Sequence, residues 1–224
     1  MEPYYEHGGI TIYHGDCRDV LPTLEPVDMV LTDPPYGIAG TQNTKTRARG
    51  QKNNYTMFAD SPEYTAKTGV WAVEWLVARG IRCIVTPGNK CVCMYPNPDS
   101  FGCFYQPASV GLQSWGRADA QPILYYGRSI HGGRSLPSQV CSWVLTEHPP
   151  KDARGHPCPK PIGAWARLLR AGSAPGETVI DPFMGSGTTL RAAKDLGRKA
   201  VGIEIDERYC EIAAKMLAQE VLPF

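Results

Sequence analysis

The sequence predicts an α/β protein built on a mostly parallel, twisted sheet covered by helices. Three observations predict it. From about residue 157 to 224 the chain reads strand, helix, strand, helix with short connections, an order that folds as parallel strands under helical crossovers. Near the N-terminus, short apolar bursts end in polar turns, as strands buried on both faces do. A glycine-rich turn joins one late strand directly to a helix. At 224 residues the chain can hold one full-sized core but not two ordinary enzyme domains, so a single domain over 1–224 is expected.

Taken in order, Ile10 and Ile12 mark a first strand that stops at Gly15-Asp16, and Asp16 to Leu21 offers one or two helical turns. Val27 to Leu31 is a second apolar burst, ending at Thr32-Asp33-Pro34-Pro35. Residues 38–60 read as a loop that carries Lys45, Arg47, Arg49 and Lys52. Ser61-Pro62 is a helix start, with Ser as N-cap and Pro at the first helical position. Tyr64, Trp71 and Trp75 then fall near helical spacing, the two tryptophans as core residues, and Gly80 is the natural stop. Ile81–Val85 and Ile123–Tyr126 are strands, separated and followed by Gly/Ser/Pro-rich stretches such as Gly127 to Ser138. The regular final zone has a helix at Ile162–Leu169, a strand at Thr178–Ile180, a helix at Ser186–Leu196, a strand at Ala200–Ile203 and an amphipathic helix at about Asp206–Glu220.

Composition excludes several classes. Hydrophobic residues make up 42% and charged residues 20%, the balance of a globular protein rather than a disordered one. No stretch approaches the roughly 18 consecutive apolar residues of a membrane span. Met1 to Glu6 has neither the basic cluster nor the apolar run of a signal peptide, so a cytoplasmic location is expected. The net charge of +1 does not announce a nucleic-acid partner, so any such partner needs positive charge gathered on one face. The eight cysteines include no Cys-x-x-Cys pair and read as buried free thiols. His148, His156 and Cys158 match no zinc spacing, and no metal is expected.

Two motifs carry chemistry. In Asp181-Pro182-Phe183-Met184-Gly185-Ser186-Gly187-Thr188-Thr189 a strand runs through two glycines into a helix, where backbone amides approach a ligand and the helix N-terminus favours negative charge. Glu204 ends the next strand, where an acid is placed to accept hydrogen bonds from a ribose diol. Together they suit a nucleoside-containing ligand. Leu190 stands where a dinucleotide fingerprint needs its third glycine, and no Lys follows the second glycine as in a phosphate loop. The second motif is Thr32-Asp33-Pro34-Pro35-Tyr36-Gly37. Its prolines stiffen the turn and leave carbonyls free as acceptors. With the Asp33 carboxylate and the Tyr36 ring, these make a cradle for a planar base that carries an exocyclic amine.

The two motifs together resemble the amino-methylating DNA methyltransferases that use S-adenosylmethionine. Asp33-Pro34-Pro35-Tyr36 resembles the catalytic tetrapeptide, and the Asp181 to Thr189 segment resembles the cofactor loop. The tetrapeptide comes first, the permuted order called the beta class. Gly15-Asp16-Cys17 is similar to the segment whose acid reads the cofactor's adenine, and His156-Pro157-Cys158-Pro159-Lys160-Pro161 to an element ahead of the cofactor strand. Gln121 to Tyr126 is similar to the last strand before a target-recognition region, here about 129–155.

The resemblance implies a Rossmann-like methyltransferase fold with a small loop-rich target-recognition insertion. It also implies methyl transfer to the exocyclic amine of a base flipped out of double-stranded DNA. Asp33 and Pro34 would accept the amine hydrogens while Tyr36 stacks on the base. Asp16, Cys17, Lys160, Asp181, Phe183, Gly185, Gly187, Thr188 and Glu204 would hold the cofactor, with Lys160 near its carboxylate. Lys45, Arg47, Arg49 and Lys52 would clamp phosphates, and Arg128, His131 and Arg134 would lie in the recognition region. The short recognition segment suits a brief target or a dimer on a symmetric site. The leading Asp favours adenine N6; cytosine N4 is the first alternative. Further off lie RNA or protein methylation, a catalytically silent DNA-binding module of the same fold and a nicotinamide oxidoreductase.

Overall fold

The computed structural model describes residues 1–37, 60–105, 111–113, 116–132, 141–145 and 160–219. Its strands are β1 (Tyr5–His7), β2 (Ile10–His14), β3 (Met29–Thr32), β4 (Arg82–Val85), β5 (Ser100–Tyr105), β6 (Gly111–Gln113), β7 (Gly116–Ala118), β8 (Ala120–Tyr126), β9 (Trp143–Val144), β10 (Thr178–Asp181) and β11 (Lys199–Glu204). Its helices are α1 (Cys17–Val20), α2 (Pro62–Thr65), α3 (Trp71–Val77), α4 (Gly88–Cys91), α5 (Ile162–Gly172), α6 (Thr188–Asp195) and α7 (Glu207–Ala218). One π-type turn, Ala66–Val70, joins α2 to α3.

Nine strands form one sheet in the order β1-β2-β11-β10-β3-β4-β8-β5-β9, and β6 and β7 pair separately as a hairpin. The run from β2 through β11, β10 and β3 to β4 is parallel throughout. β8 runs antiparallel to both its neighbours, and β1 antiparallel to β2. Strand alternation explains the unbroken apolar runs. Met29 and Leu31 of β3 enter one core with Ile84, Ile123 and the inner faces of α5, α6 and α7. Val30, Cys83, Val85 and Leu124, their immediate neighbours in sequence, enter a second core with α1 and α3. Each central strand is thus buried on both faces, as parallel strands under two helical layers must be. The architecture is Rossmann-like, a mostly parallel sheet under helices with an antiparallel β8.

The expected elements appear with shifted ends. Ser61 accepts from the Tyr64 amide as N-cap of α2, and the helix that starts there runs over 62–77. Gly80 takes φ +73° three residues beyond it. The strand expected at Ile123 begins at Ala120, and α7 stops at Ala218 instead of Glu220. Strands β1, β5, β6, β7 and β9 carry no matching expectation. Trp71 and Trp75 pack at the border of the second core. The thiols do not all follow expectation: Cys17, Cys83, Cys91 and Cys210 are buried, whereas Cys93 and Cys141 are exposed and Cys103 lies between. Burial pushes the Cys17, Cys83 and Cys210 thiols up to about 12. Among the described residues no helix is long and apolar enough to cross a membrane.

Candidate active site

Because β2, β11, β10, β3 and β4 are parallel, their C-terminal ends share one edge of the sheet, and the turns that follow them form a continuous rim. The two motifs meet there. β10, which ends in Asp181, is hydrogen-bonded directly to β3, which ends one residue before Asp33. From β10 the chain winds towards β11, and from β3 it winds towards β4, so the pair straddles the point where the winding reverses.

The Asp33 carboxylate is densely partnered. Its Oδ1 accepts hydrogen bonds from the Tyr36 hydroxyl at 2.5 Å, the Thr86 hydroxyl at 2.5 Å and the Gln121 amide at 3.3 Å. The Lys160 ammonium donates to Oδ2. The Gln121 amide also donates to the Tyr36 hydroxyl. Thr86 follows β4, and Gln121 lies near the start of the antiparallel β8, which brings it to the same edge. Below the turn, the Thr65 hydroxyl donates to the Pro35 carbonyl at 3.1 Å. The Gly37 amide donates to Asp60 at 2.5 Å, so the two described ends that flank 38–59 meet beside the turn.

The neighbouring half of the rim holds two carboxylates, Asp181 buried and Glu204 half-buried. Asp181 accepts from the Thr32 hydroxyl at 2.7 Å, the Thr189 hydroxyl at 2.5 Å and the Phe183 amide at 3.1 Å. Glu204 accepts from the Gly185 amide at 3.0 Å and the Asp206 amide at 2.9 Å. Burial pushes the Asp181 carboxyl up to about 6 and the Glu204 carboxyl up to about 7. The turn between them needs its glycines. Gly187 caps α6 at φ +85°, and a Cβ there would lie 2.8 Å from that of Ala213. Thr188 and Thr189 open α6. Burial, and after it the Asp16 charge, hold the Tyr64 hydroxyl above its usual range.

These residues fit a cofactor that carries a cation and hydroxyls. Among the described residues, neither Asp181 nor Glu204 makes a salt bridge; Asp181 is buried and Glu204 half-buried. A buried carboxylate without a counter-charge is costly, and a cationic or hydroxyl-bearing ligand relieves that cost.

Other expected residues stand as follows. Asp16 caps α1 and pairs with Arg18, whose guanidinium holds its carboxyl below the usual range; Cys17 is buried beside it. The Lys160 ammonium sits on Asp33. Arg128 and His131 lie away from this rim. β8 runs against the parallel strands, so the exposed residues after Tyr126 leave the sheet at the edge opposite Asp33. There Ser129 and His131 bond to the carbonyls of Ala171 and Arg170 near the end of α5. Lys45, Arg47, Arg49, Lys52, Arg134, His148, His156 and Cys158 lie outside the described residues. Sequence reasoning missed Thr86 as a site residue and assigned Gln121 only to a strand. Each is a lone polar residue at a strand end and becomes informative only once β4 and β8 are placed beside β3.

Residues 41–215 match the family model N6_N4_Mtase, described as DNA methylase. The Type II methyltransferase M2.DpnII of Streptococcus pneumoniae is 28% identical over 251 residues, covering 98% of this chain and 93% of that protein. The Type II methyltransferase M2.LlaDCHI of Lactococcus lactis subsp. cremoris is 27% identical over 252 residues, covering 96% of this chain and 92% of that protein. Among solved structures, the cytosine-N4-specific PvuII DNA methyltransferase superposes with a TM-score of 0.67 at 15% identity, over 99% of this chain and 90% of that one. M1.HpyAVI, solved in complex with SAM, superposes with a TM-score of 0.59 at 19% identity, over 93% of this chain and 99% of that one.

Proposed function

Because this chain belongs to the N6_N4_Mtase family of DNA methylases, we propose that it methylates the exocyclic N6 amine of adenine in a short double-stranded DNA target, with S-adenosylmethionine as cofactor. The observation that carries the proposal is the placement of the Asp33 turn on the strand next to the one that ends in Asp181. That adjacency puts a carboxylate suited to an amine beside carboxylates suited to a cationic nucleoside. When bound, the cofactor supplies an electrophilic methyl group.

The residues divide the remaining work. Asp181 and Glu204 would accept from the cofactor's ammonium and ribose hydroxyls, with Asp16 and Cys17 at the adenine end. Gly185 and Gly187 admit the ligand to the backbone, Phe183 packs along it, and Thr188 opens the helix that faces it. An aryl amine is a poor nucleophile because its lone pair is delocalised into the ring. Asp33 Oδ1 and the Pro34 carbonyl would accept the two amine hydrogens and favour a pyramidal nitrogen, and Asp33 would take the proton lost on methylation. The base must leave the duplex to reach them, and the Tyr36 ring provides the stacking surface. The basic residues Lys45, Arg47, Arg49 and Lys52 would contact phosphates, a role supported by the meeting of Gly37 and Asp60 beside the turn. Adenine is favoured over cytosine by the Asp that opens the tetrapeptide. A homodimer on a symmetric site suits the short recognition segment.

The test is transfer of tritiated methyl from the cofactor to plasmid DNA from a methylation-deficient host, followed by digestion to nucleosides. Label in N6-methyldeoxyadenosine is expected. Label in N4-methyldeoxycytidine would move the activity to the other amine, and no label would leave a silent module of the same fold.

A further inference from the structure

We infer that Lys160 is the counter-ion of the catalytic carboxylate: it positions Asp33 and is not a ligand of the cofactor. The inference rests on the methyltransferase reading above and gives the lysine a different partner from the one its motif implies.

Lys160 lies just ahead of Pro161, which caps α5, and its side chain is only 10% exposed. The ammonium bonds to Asp33 Oδ2 and lies 5.1 Å from the centre of the Tyr36 ring and 5.9 Å from that of Trp165. Trp165 is buried in the main core, so this wall of the site is fixed. The two oxygens of Asp33 therefore face different chemistry. Oδ2 meets a full positive charge, whereas Oδ1 meets two hydroxyls and a carboxamide, all neutral.

That division decides which oxygen serves the substrate. Exchanging a neutral donor on Oδ1 for the N–H of a base replaces one neutral hydrogen bond with another. Removing the ammonium from Oδ2 would leave a largely buried carboxylate without its counter-charge, a much less favourable exchange. Lys160 thus holds Oδ2 in place, and the planar carboxylate then aims Oδ1 at the incoming amine. Tyr36 is the donor on Oδ1 that must move, since its ring has to receive the base.

The test compares Lys160→Met, which keeps the stem without the charge, with Lys160→Arg in the full-length protein. The readouts are methyl transfer to unmethylated plasmid DNA and calorimetric binding of S-adenosylhomocysteine. Lys160→Met is expected to lower kcat more than about tenfold with the S-adenosylhomocysteine Kd within about fivefold, and Lys160→Arg to recover part of the rate. A Kd raised beyond that limit, a smaller fall in kcat, or an arginine no better than methionine would overturn the inference. If Lys160→Met does not fold, a crystal structure of the wild-type protein with S-adenosylhomocysteine decides. Nζ on Asp33 supports the inference, and Nζ on the homocysteine carboxylate overturns it. A wild-type protein that labels no DNA would refute the methyltransferase reading instead, and the crystal structure would still judge the pairing.

Discussion

The Thr32 hydroxyl donates a 2.7 Å hydrogen bond to Asp181 Oδ1, joining residues 149 positions apart in sequence. Thr32 is the last residue of β3, directly before the Asp33 turn, and Asp181 is the last residue of β10, at the head of the glycine loop. The Thr32 carbonyl also accepts from the Thr86 amide at 3.1 Å, and the Thr86 hydroxyl donates to Asp33. A chain of hydrogen bonds thus runs from the Asp181 carboxylate to that of Asp33.

Thr32→Val keeps the β-branched shape that suits the strand but removes the donor. Loss of one donor to a buried carboxylate costs about 1–3 kcal/mol. Thermal unfolding should show a Tm lower by about 5 °C, and S-adenosylhomocysteine should bind more weakly, while Thr32→Ser should restore both. Unchanged cofactor affinity in Thr32→Val would mean that this bond supports the fold alone.

Two carboxyls make the ligand-free protein sensitive to pH. Burial raises the Glu204 carboxyl from its usual 4.5 to about 7, and that of Asp181 from 3.8 to about 6. The folded chain therefore holds these protons more tightly than the unfolded chain does. The resulting stabilisation is complete below the unfolded values and is lost as pH rises through about 6 and about 7, on the order of 3 kcal/mol for Glu204. Ligand binding has the opposite trend, because a cation or a diol prefers the ionised acid. The S-adenosylhomocysteine Kd should tighten about tenfold between roughly pH 5.5 and 8. Glu204→Gln should flatten that profile and raise the ligand-free Tm at about pH 8. A pH-independent Kd in the wild-type protein would remove Glu204 from the cofactor site.

The central fold was legible because its signals are local. Alternating burial of Met29, Val30 and Leu31 leaves an unbroken apolar run, and the C-terminal zone repeats strand and helix with short links. β5 was not legible. In Ser100-Phe-Gly-Cys-Phe-Tyr, Phe101 and Tyr105 are exposed and Gly102 interrupts the pattern, so no clean alternation marks the strand.

The site was legible as two separate motifs because each is contiguous. Their support was not. Thr86, Gln121 and Lys160 lie 53, 88 and 127 positions from Asp33. Only the order β3-β4-β8 and the approach of α5 bring them to it. The position of Arg128 and His131 was hidden for a related reason. Nothing local in the sequence states that β8 runs against its neighbours and carries the following residues to the far edge.

Asp33→Ala is expected to abolish methyl transfer, by about 10³-fold or more, with S-adenosylhomocysteine affinity nearly intact. It also takes the counter-charge from the Lys160 ammonium, which should cost about 2–4 kcal/mol of stability. Adding Lys160→Met to Asp33→Ala should recover much of that stability and none of the activity. Collapse of cofactor binding in the single variant would show that the two halves of the rim do not divide the work as proposed.

Gly88→Ala tests the placement of the Tyr36 ring from the far side. Gly88 has φ +68°, and a Cβ there would lie 2.7 Å from both Cγ and Cδ1 of Tyr36. The methyl group must displace the ring, and the left-handed backbone adds about 1–2 kcal/mol of strain. Gly80→Ala is the matched control, because Gly80 has φ +73° and its Cβ would meet nothing within 4 Å. Both variants should lose similar backbone stability, but only Gly88→Ala should lose activity. Base–aromatic stacking worth about 1–3 kcal/mol sets the expected loss in kcat/KM for DNA at about 10- to 100-fold, with S-adenosylhomocysteine binding unchanged. Equal activity in the two variants would mean that the Tyr36 ring does not receive the base.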